Sequence, residues 1–478
     1  MVTFCSRKFL KVFSIIILLT SSFLSYAQQP VQSAQPAPSH SYTLSDFIDS
    51  AQRHLPVLFQ KKALVDAARA GITDARHAFL PTSYVGDEVT VGTDNSIPGS
   101  YESFGIIPSS SSGVRASNVY QSALGNIAFF YNEYELLDFG LKKATVHRAR
   151  AYADLSQADL DREIYLVKWQ VGKLYMDILK NQFQLGIDQE NVTRYETIYK
   201  VIQAVTLSGI KPGADSALAM AELSKTRITF NQTQGAVRQL QQQLSYLTGI
   251  PVDHIVIDTS QAQSYSSVQH ILGRIRDTAA PSNPLIDYYN KQRSVYLQTE
   301  DLVKKSYLPK VLLTGIGWAR GSGIDYQDNY KSSVLSGLGY QRFNYMGGLT
   351  LEYDLFNIVH RRDKAAIARN NTIAGDYELQ QQQLSIQNVG NKADEAIRTA
   401  VKNLGEIPVQ IGAAQDAYSQ KTAQYKAGII NLVDLTNASF VLYRAQSDYV
   451  QTLSDWLLAN LDKAAASGDL DLYIQSIK

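Results

Sequence analysis

Apolar positions along this chain follow two rhythms, one with helical and one with strand spacing. From Tyr42 onward, Leu44, Phe47, Ile48 and Ala51 share one helical face, and the pattern runs on through Ala70 to Leu80, where Pro81 stops it. Alternating segments, less clean in the second, then predict short strands at 84–92 and 123–137, separated by a Gly-, Ser- and Pro-rich stretch, 93–122, expected to be a long exposed loop. Asp138 is expected to cap the next helix, a proline-free run to Ser208 that would reach on the order of 100 Å. Within it Ile164, Val167, Val171, Leu174, Ile178 and Leu185 are spaced 3, 4, 3, 4 and 7 apart, the seam of helices packed side by side. Such a seam predicts partner helices of similar reach. After the turn Gly209-Ile210-Lys211-Pro212-Gly213 a shorter helix returns over 214–247, with Val237, Leu240, Leu244 and Leu247 along its own seam.

The same order occurs twice. Pro56 and Pro284 are 228 positions apart, as are Pro81 and Pro309, and Phe79-Leu80-Pro81 aligns with Tyr307-Leu308-Pro309. Later positions keep an offset of 219: Glu133-Tyr134 with Glu352-Tyr353, Asp138 with Asn357, Gly209 with Gly428, Asp215 with Asp434, and Gly249 with Gly468. The change of offset falls between the strands, where the first copy has the longer loop. The expected organisation is therefore a first repeat at 42–265, with its strand hairpin at 81–137, and a second at 266–478, with its hairpin at 309–356. The second returning helix is expected over 432–461, with a seam of Leu432, Leu435, Leu442, Tyr449, Leu453 and Trp456. The irregular segment 250–283 and the tail after Ala464 are expected at the waist.

Strand chemistry narrows the environment. Leu349, Leu351, Tyr353 and Leu355 alternate with Gly348, Thr350, Glu352 and Asp354, the lipid-out, lumen-in period of a transmembrane barrel strand. The repeat places Glu133 and Glu135 on the inner face, although a one-residue slip would reverse them. Four strands leave open edges, which hydrocarbon does not tolerate, so a barrel built from them needs other chains. A soluble edge sheet is the alternative. Aromatics crowd the strand ends, among them Tyr84, Phe129, Phe130, Trp318, Tyr340, Phe343 and Tyr345, as in interfacial girdles. Lys142-Lys143 and Arg361-Arg362 follow the second strand of each copy, where cations oppose the helix dipole. A bilayer surface beside them would supply phosphate partners; a solvated charge cluster is the plainer account.

Composition then excludes several classes. Residues 1–27 have the form of a secretory signal: Arg7, Lys8 and Lys11, the apolar run 12–19, and the small-x-small site Ser25-Tyr26-Ala27. Residues 28–41, rich in Gln, Pro and Ser, read as a disordered lead-in. Cys5, the only cysteine, lies inside the signal, so a mature chain would have no disulfide or thiolate metal site. That chain would carry 42 Lys and Arg against 44 Asp and Glu, and this balance gives no reason to expect nucleic acid as a partner. The histidines 40, 54, 77, 147, 254, 270 and 360 form no His-x-x-x-His pair, and the glycines of 321–323 and 347–348 sit in no strand-to-helix phosphate turn. No catalytic, cofactor or metal site is expected.

Phe79-Leu80-Pro81 with Tyr307-Leu308-Pro309, the segment Leu137-Asp138-Phe139-Gly140, and the two turns 209–215 and 425–434 together resemble the TolC-like outer-membrane efflux family over about residues 42–466. The resemblance implies a mainly α chain with transmembrane β: a trimeric twelve-stranded barrel, four strands per chain, continued by an α-helical coiled-coil barrel. It implies an exit duct in the outer membrane, extending into the periplasm. Its implied partners are two further copies, outer-membrane lipid, a periplasmic adaptor and an inner-membrane pump of RND, ABC or MFS type, serving efflux or type I secretion. Asp215 and Tyr425 match members of the network that closes the periplasmic tip, and Asp434 matches an acidic ring at the constriction. Asn437 stands where a second acidic ring would be, and Ile430 where relatives place an Arg. Adaptor docking would fall on Gly209, Ile210, Lys211, Pro212, Gly213, Gly428, Ile429, Ile430, Asn431 and Leu432. Two alternatives stay open: Asp215 as a simple helix N-cap, and the whole chain as a structural coiled-coil protein of the envelope.

Overall fold

The structure, a computed structural model, describes residues 42–93, 95, 116–208, 213–257, 283–325, 327, 329–331 and 333–477. The signal, the lead-in, most of the 93–122 loop, the turn residues 209–212 and most of 250–283 lie outside the described residues.

The chain opens with two helices, α1 (Leu44–His54) and α2 (Pro56–His77), where the apolar pattern had suggested one. Pro56 is the reason: its ring forces Leu55 into an extended conformation, φ −69 and ψ 118, so α1 must end there and Pro56 becomes the first residue of α2. Thr43 and Asp46 form a reciprocal capping box that fixes where α1 starts. Strands β1 (Thr82–Gly92) and β2 (Ala123–Leu137) lead into α3 (Leu141–Leu207), from which α4 (Gly213–Thr248) returns. Then α5 (Pro284–Ser306), β3 (Lys310–Ser322), β4 (Arg342–Glu352), α6 (Asn357–Lys426) and α7 (Leu432–Ser467) repeat that order, and α8 (Leu470–Ser476) ends the chain.

Asp138 is not the N-cap of α3. Gly140, in the left-handed region at φ 91, holds that place, and the Asp138 carboxylate accepts from the Gly140 and Lys142 amides at 2.9 and 3.0 Å. In the second half Asp354 does the corresponding work, accepting from the Phe356 amide at 2.9 Å. Asp138 therefore corresponds by its hydrogen bonding to Asp354, not to Asn357. An Asx turn needs an acid two residues before the amide it binds, and an offset fitted to distant glycines does not register that requirement.

The seam of α3 is buried as its spacing predicts: Val167, Val171, Leu174 and Ile178 are interior, while Ile164 packs on the same core and Leu185 is half-buried. In α7, Leu432, Leu435, Leu442 and Trp456 are buried, but Tyr449 is exposed and Val450 takes its place. A straight helix of 3.6 residues per turn drifts against a strict seven-residue count, which moves the seam by one position. The densest core gathers at mid-height. There α1 (Leu44, Phe47, Ile48) and α8 (Leu470, Tyr473, Ile474) wrap α3 and α7. Asn283 caps α5 through the Leu285 amide and donates to the carbonyls of Ala465 and Ala466, so α5 begins where α7 ends. The tail after Ala464, expected only to lie at the waist, is helical and locks it: Tyr473 donates to the Leu457 carbonyl at 2.8 Å and Tyr165 to that of Ala465 at 2.8 Å.

The four strands form one antiparallel sheet in the order β1-β2-β3-β4. Thr82 faces Glu133, Phe129 faces Trp318, and Lys310 faces Glu352.

Candidate functional site

Each long helix ends in a turn whose form follows from one or two residues. At the end of α6, Gly428 takes φ 75, its amide bonds the Tyr425 carbonyl at 3.0 Å, and the Ile429 amide bonds that of Gln424 at 2.9 Å. These are the two bonds of a Schellman motif, and the left-handed residue between them is where glycine is least strained. Asn431 then accepts from the Asp434 amide at 2.9 Å and caps α7. Asp434 is thus the third residue of α7. Asp215 holds the same place in α4, inside the first turn and not at the cap. Both carboxylates sit where the helix dipole favours negative charge.

Of the expected tip residues, the structure brings Asp215 and Tyr425 together. Tyr425 packs against a small core that joins both hairpins: Ile198 and Ile202 from α3, Ala219 from α4, Leu432 and Leu435 from α7. Burial, and then the Asp215 carboxylate, hold the Tyr425 hydroxyl above its ordinary pKa. Asp434 and Asn437, three residues apart, lie exposed on the outward side of α7, opposite buried Leu432 and Leu435. Gly213, Gly428, Ile429 and Asn431 are exposed, Ile430 is half-buried, and Leu432 is buried in the tip core. Gly209, Ile210, Lys211 and Pro212 lie outside the described residues.

Above the tip the fold assembles a polar node that periodicity gave no sign of. Asp188 of α3 is only 1% exposed, and its carboxylate accepts from Tyr443 Oη of α7 at 2.9 Å, Thr233 Oγ1 of α4 at 2.6 Å and Gln184 Nε2 at 2.8 Å. Gln184 also reaches Ser447 Oγ at 3.0 Å. All three partners of the carboxylate are neutral, so it is held by hydrogen bonds alone, and they tie three helices at one height. Burial, followed by the Asp188 carboxylate, pushes the Tyr443 hydroxyl up to about 12. The only available sequence signal was a polar residue interrupting an apolar helix face.

The sheet has two unlike faces. One is mixed: it carries Thr82, Glu88, Glu133, Glu135, Thr314, Arg320, Arg342 and Glu352 together with Tyr84, Phe129, Ile316 and Trp318, so Glu133 and Glu135 share the face of Glu352. The other carries Val85, Val89, Phe130, Leu313, Phe343, Tyr345, Leu349 and Leu351, all exposed, Val85 by 84% and Tyr345 by 92%. Isolated apolar side chains at a surface are ordinary, but a sheet face with this many, interrupted by Ser83, Asp87, Asn126 and Asn132, marks an apolar contact. The outer edges of β1 and β4 have no strand beside them among the described residues. No described helix is long and apolar enough to cross a membrane, and no described cluster of His, Cys, Asp or Glu could hold a metal ion.

Comparison with known proteins agrees with this geometry. Residues 279–468 match the model of the family described as outer membrane efflux protein. By sequence, no curated protein matches. Among solved structures, the chain is similar to the outer-membrane channel OprN, with a TM-score of 0.70 at 14% identity over 93% of this chain and 96% of the other. It is similar to the outer membrane protein VceC from Vibrio cholerae, with a TM-score of 0.70 at 13% identity over 89% and 96%. It is also similar to the CmeC outer membrane channel of Campylobacter jejuni, with a TM-score of 0.70 at 15% identity over 94% and 90%. The fold of the single chain, long helices with one small antiparallel sheet, is that of these channels.

Proposed function

We propose, from the match of residues 279–468 to the outer membrane efflux protein model and from the fold, that the chain is one wall segment of an exit duct in the outer membrane. The sheet carries this reading. Its apolar face suits lipid, its mixed face, which holds the carboxylates of Glu133, Glu135 and Glu352, suits a water-filled lumen, and its two open edges call for strands from other copies. Three copies would close a twelve-stranded barrel, with the long helices continuing it as a periplasmic tunnel. The internal repeat fits that plan, because each half supplies one strand hairpin and one helix hairpin. The family match further supports an adaptor docking on the two tip turns and an inner-membrane pump that delivers cargo. The duct itself is passive: it needs no cofactor, and its work is to be open or closed.

The closed tip rests on Asp215 and Tyr425, packed where the two hairpins meet. Ile430 leaves no cation at its position, so closure relies on this packing and on the node above it, not on a salt-bridge lock. Asp434, exposed at the third position of α7, would form a ring of three carboxylates and make the closed tip prefer cations.

Planar-bilayer recording of the purified protein tests both parts. Wild type should form discrete cation-preferring pores, and Asp434→Ala should lose the preference while keeping the pore. Isolated monomers without conductance, recovered from the soluble periplasmic fraction, would overturn the duct and favour the structural envelope reading. Unchanged selectivity in Asp434→Ala would remove only the ring.

A further inference from the structure

Just past the apolar sheet face, where β2 hands over to α3, a concavity of about 390 Å³ is lined by Arg76, Lys142, Lys143, His147, Arg150 and Asp138. Arg76 comes from the last turn of α2 and the others from the start of α3 or the residues before it. Asp138 is the one acid in the lining, and its carboxylate is already engaged by the Gly140 and Lys142 amides. Arg76, Lys142, Lys143 and Arg150 are exposed and form no ion pair among the described residues. The Lys142 ammonium is held 5.9 Å from the centre of the Phe79 ring, which turns it along the wall.

At the matching place in the second half, Arg361 and Arg362 of α6 are likewise exposed and form no ion pair among the described residues, whereas the lysines that end α5 are paired. Lys304 and Lys305, at the end of α5, are each matched by an acid one turn earlier, Glu300 and Asp301, at 2.7 Å. In the first half Arg76 and Arg150 join the lysines around one opening, and part of this charge sits at a helix N-terminus whose dipole opposes cations. Leu136, Leu137 and Phe139 are exposed beside it. An apolar belt followed at once by uncompensated cations is the profile of a chain passing from acyl chains to headgroups.

We propose that this concavity binds the phosphate of an anionic phospholipid headgroup and so fixes the height of the duct in the bilayer. This rests on the membrane reading of the sheet. The ligand class follows from the surroundings: several guanidinium and ammonium donors around one opening fit a phosphate, and the adjacent apolar side chains fit the attached acyl chains. A small free anion would use the donors and leave those side chains without a role.

The test is native mass spectrometry of the full chain purified in detergent, titrated separately with phosphatidylglycerol, phosphatidylcholine and inorganic phosphate. Wild type should retain phosphatidylglycerol in clear preference to phosphatidylcholine. Removing three charges together, Arg76→Gln, Lys143→Gln and Arg150→Gln, should weaken that retention about a hundredfold. The charge-keeping set Arg76→Lys, Lys143→Arg and Arg150→Lys should restore most of it, and Lys225→Gln, on α4 and paired with Glu222, should leave it unchanged. Equal retention of the two lipids, or full retention by the triple Gln variant, would overturn the proposal. Inorganic phosphate competing as well as the lipid would also overturn it, as a small-anion site. Wild type that selects the anionic lipid but gives no conductance would instead count against the duct.

Discussion

Helices α3 and α6 are nearly equal in length, 67 and 70 residues, yet they are built to opposite plans. Twenty residues of α3 are buried, many of them large: Tyr165, Leu174, Tyr175, Met176, Ile178 and Leu179. Seven residues of α6 are buried, and Ala393, Ala400, Ile407 and Ala414 among them repeat every seventh position as a narrow strip of mostly small side chains. Helices α1, α2, α4, α5 and α7 all pack on α3, whereas α6 packs on α5 and α7. Tyr377, Leu384, Val401 and Val409 of α6 remain exposed. One helix is the middle of a wall and the other is its margin. On the proposed assembly, the difference teaches that a chain completed by copies of itself would place its stability centrally and leave apolar surface at its edge.

Substitutions can break or sharpen that contrast. The largest effect belongs to the wall centre: Ile178→Ala, at a fully buried position, should cost about 4 kcal/mol, read as a lowered midpoint in denaturant unfolding of the detergent-solubilised protein. Asp188→Ala should cost about 2 to 3 kcal/mol in the same measurement, because it leaves the Tyr443, Thr233 and Gln184 donors unpaired at a buried site. A cost no larger than that of an exposed polar change would show that the node is not a joint between α3, α4 and α7. At the tip, Gly428→Ala places a side chain at φ 75 and should cost about 1 kcal/mol. The smallest effect on the chain's own stability is expected at the margin: Tyr377→Ala, 68% exposed, should fall within about 0.5 kcal/mol while weakening association between copies, seen by sedimentation in detergent. Equal costs for Ile178→Ala and Tyr377→Ala would end the contrast.

The node also carries a pH signature with a definite sign. The Tyr443 hydroxyl has a pKa raised from 10.0 to about 12, so the folded state holds a proton that the unfolded state releases first. Its contribution is complete below pH 10 and is lost as pH rises toward 12. Thermal midpoints should therefore fall across that window, and Tyr443→Phe should start lower and fall less steeply. Identical slopes for the two proteins would show that another group controls alkaline unfolding.

Much of the architecture was legible before any coordinates. The 3-4 spacing from Ile164 to Ile178 named the buried seam, alternation in 349–355 named the last strand although β4 ends at Glu352 and leaves Tyr353 and Leu355 beyond it, and Pro81 marked where the first helical pattern stops, while the break at Pro56 was passed over. The tip was legible only in part. Gly428 announced its turn, but the neighbourhood of Asp215 and Tyr425 rested on resemblance, since residues 210 positions apart in sequence carry no local sign of proximity. The Asp188 node was missed for the same reason: its bonds join positions 45 and 255 residues apart.

By itself, then, the sequence determined what acts within a turn or two of backbone: helix periods, strand alternation, the proline break at Leu55 and the glycine turn at 428. Such preferences need only near neighbours, so they survive without a fold around them. Tertiary structure alone decided which helix became the wall and which the margin. It also decided that α8 would lock the waist, that Asp188 would be satisfied by Thr233 and Tyr443, and that Arg76 would join the cations of α3. Each of these depends on which distant surfaces meet, and a side chain's burial or pairing is a property of the surface it meets.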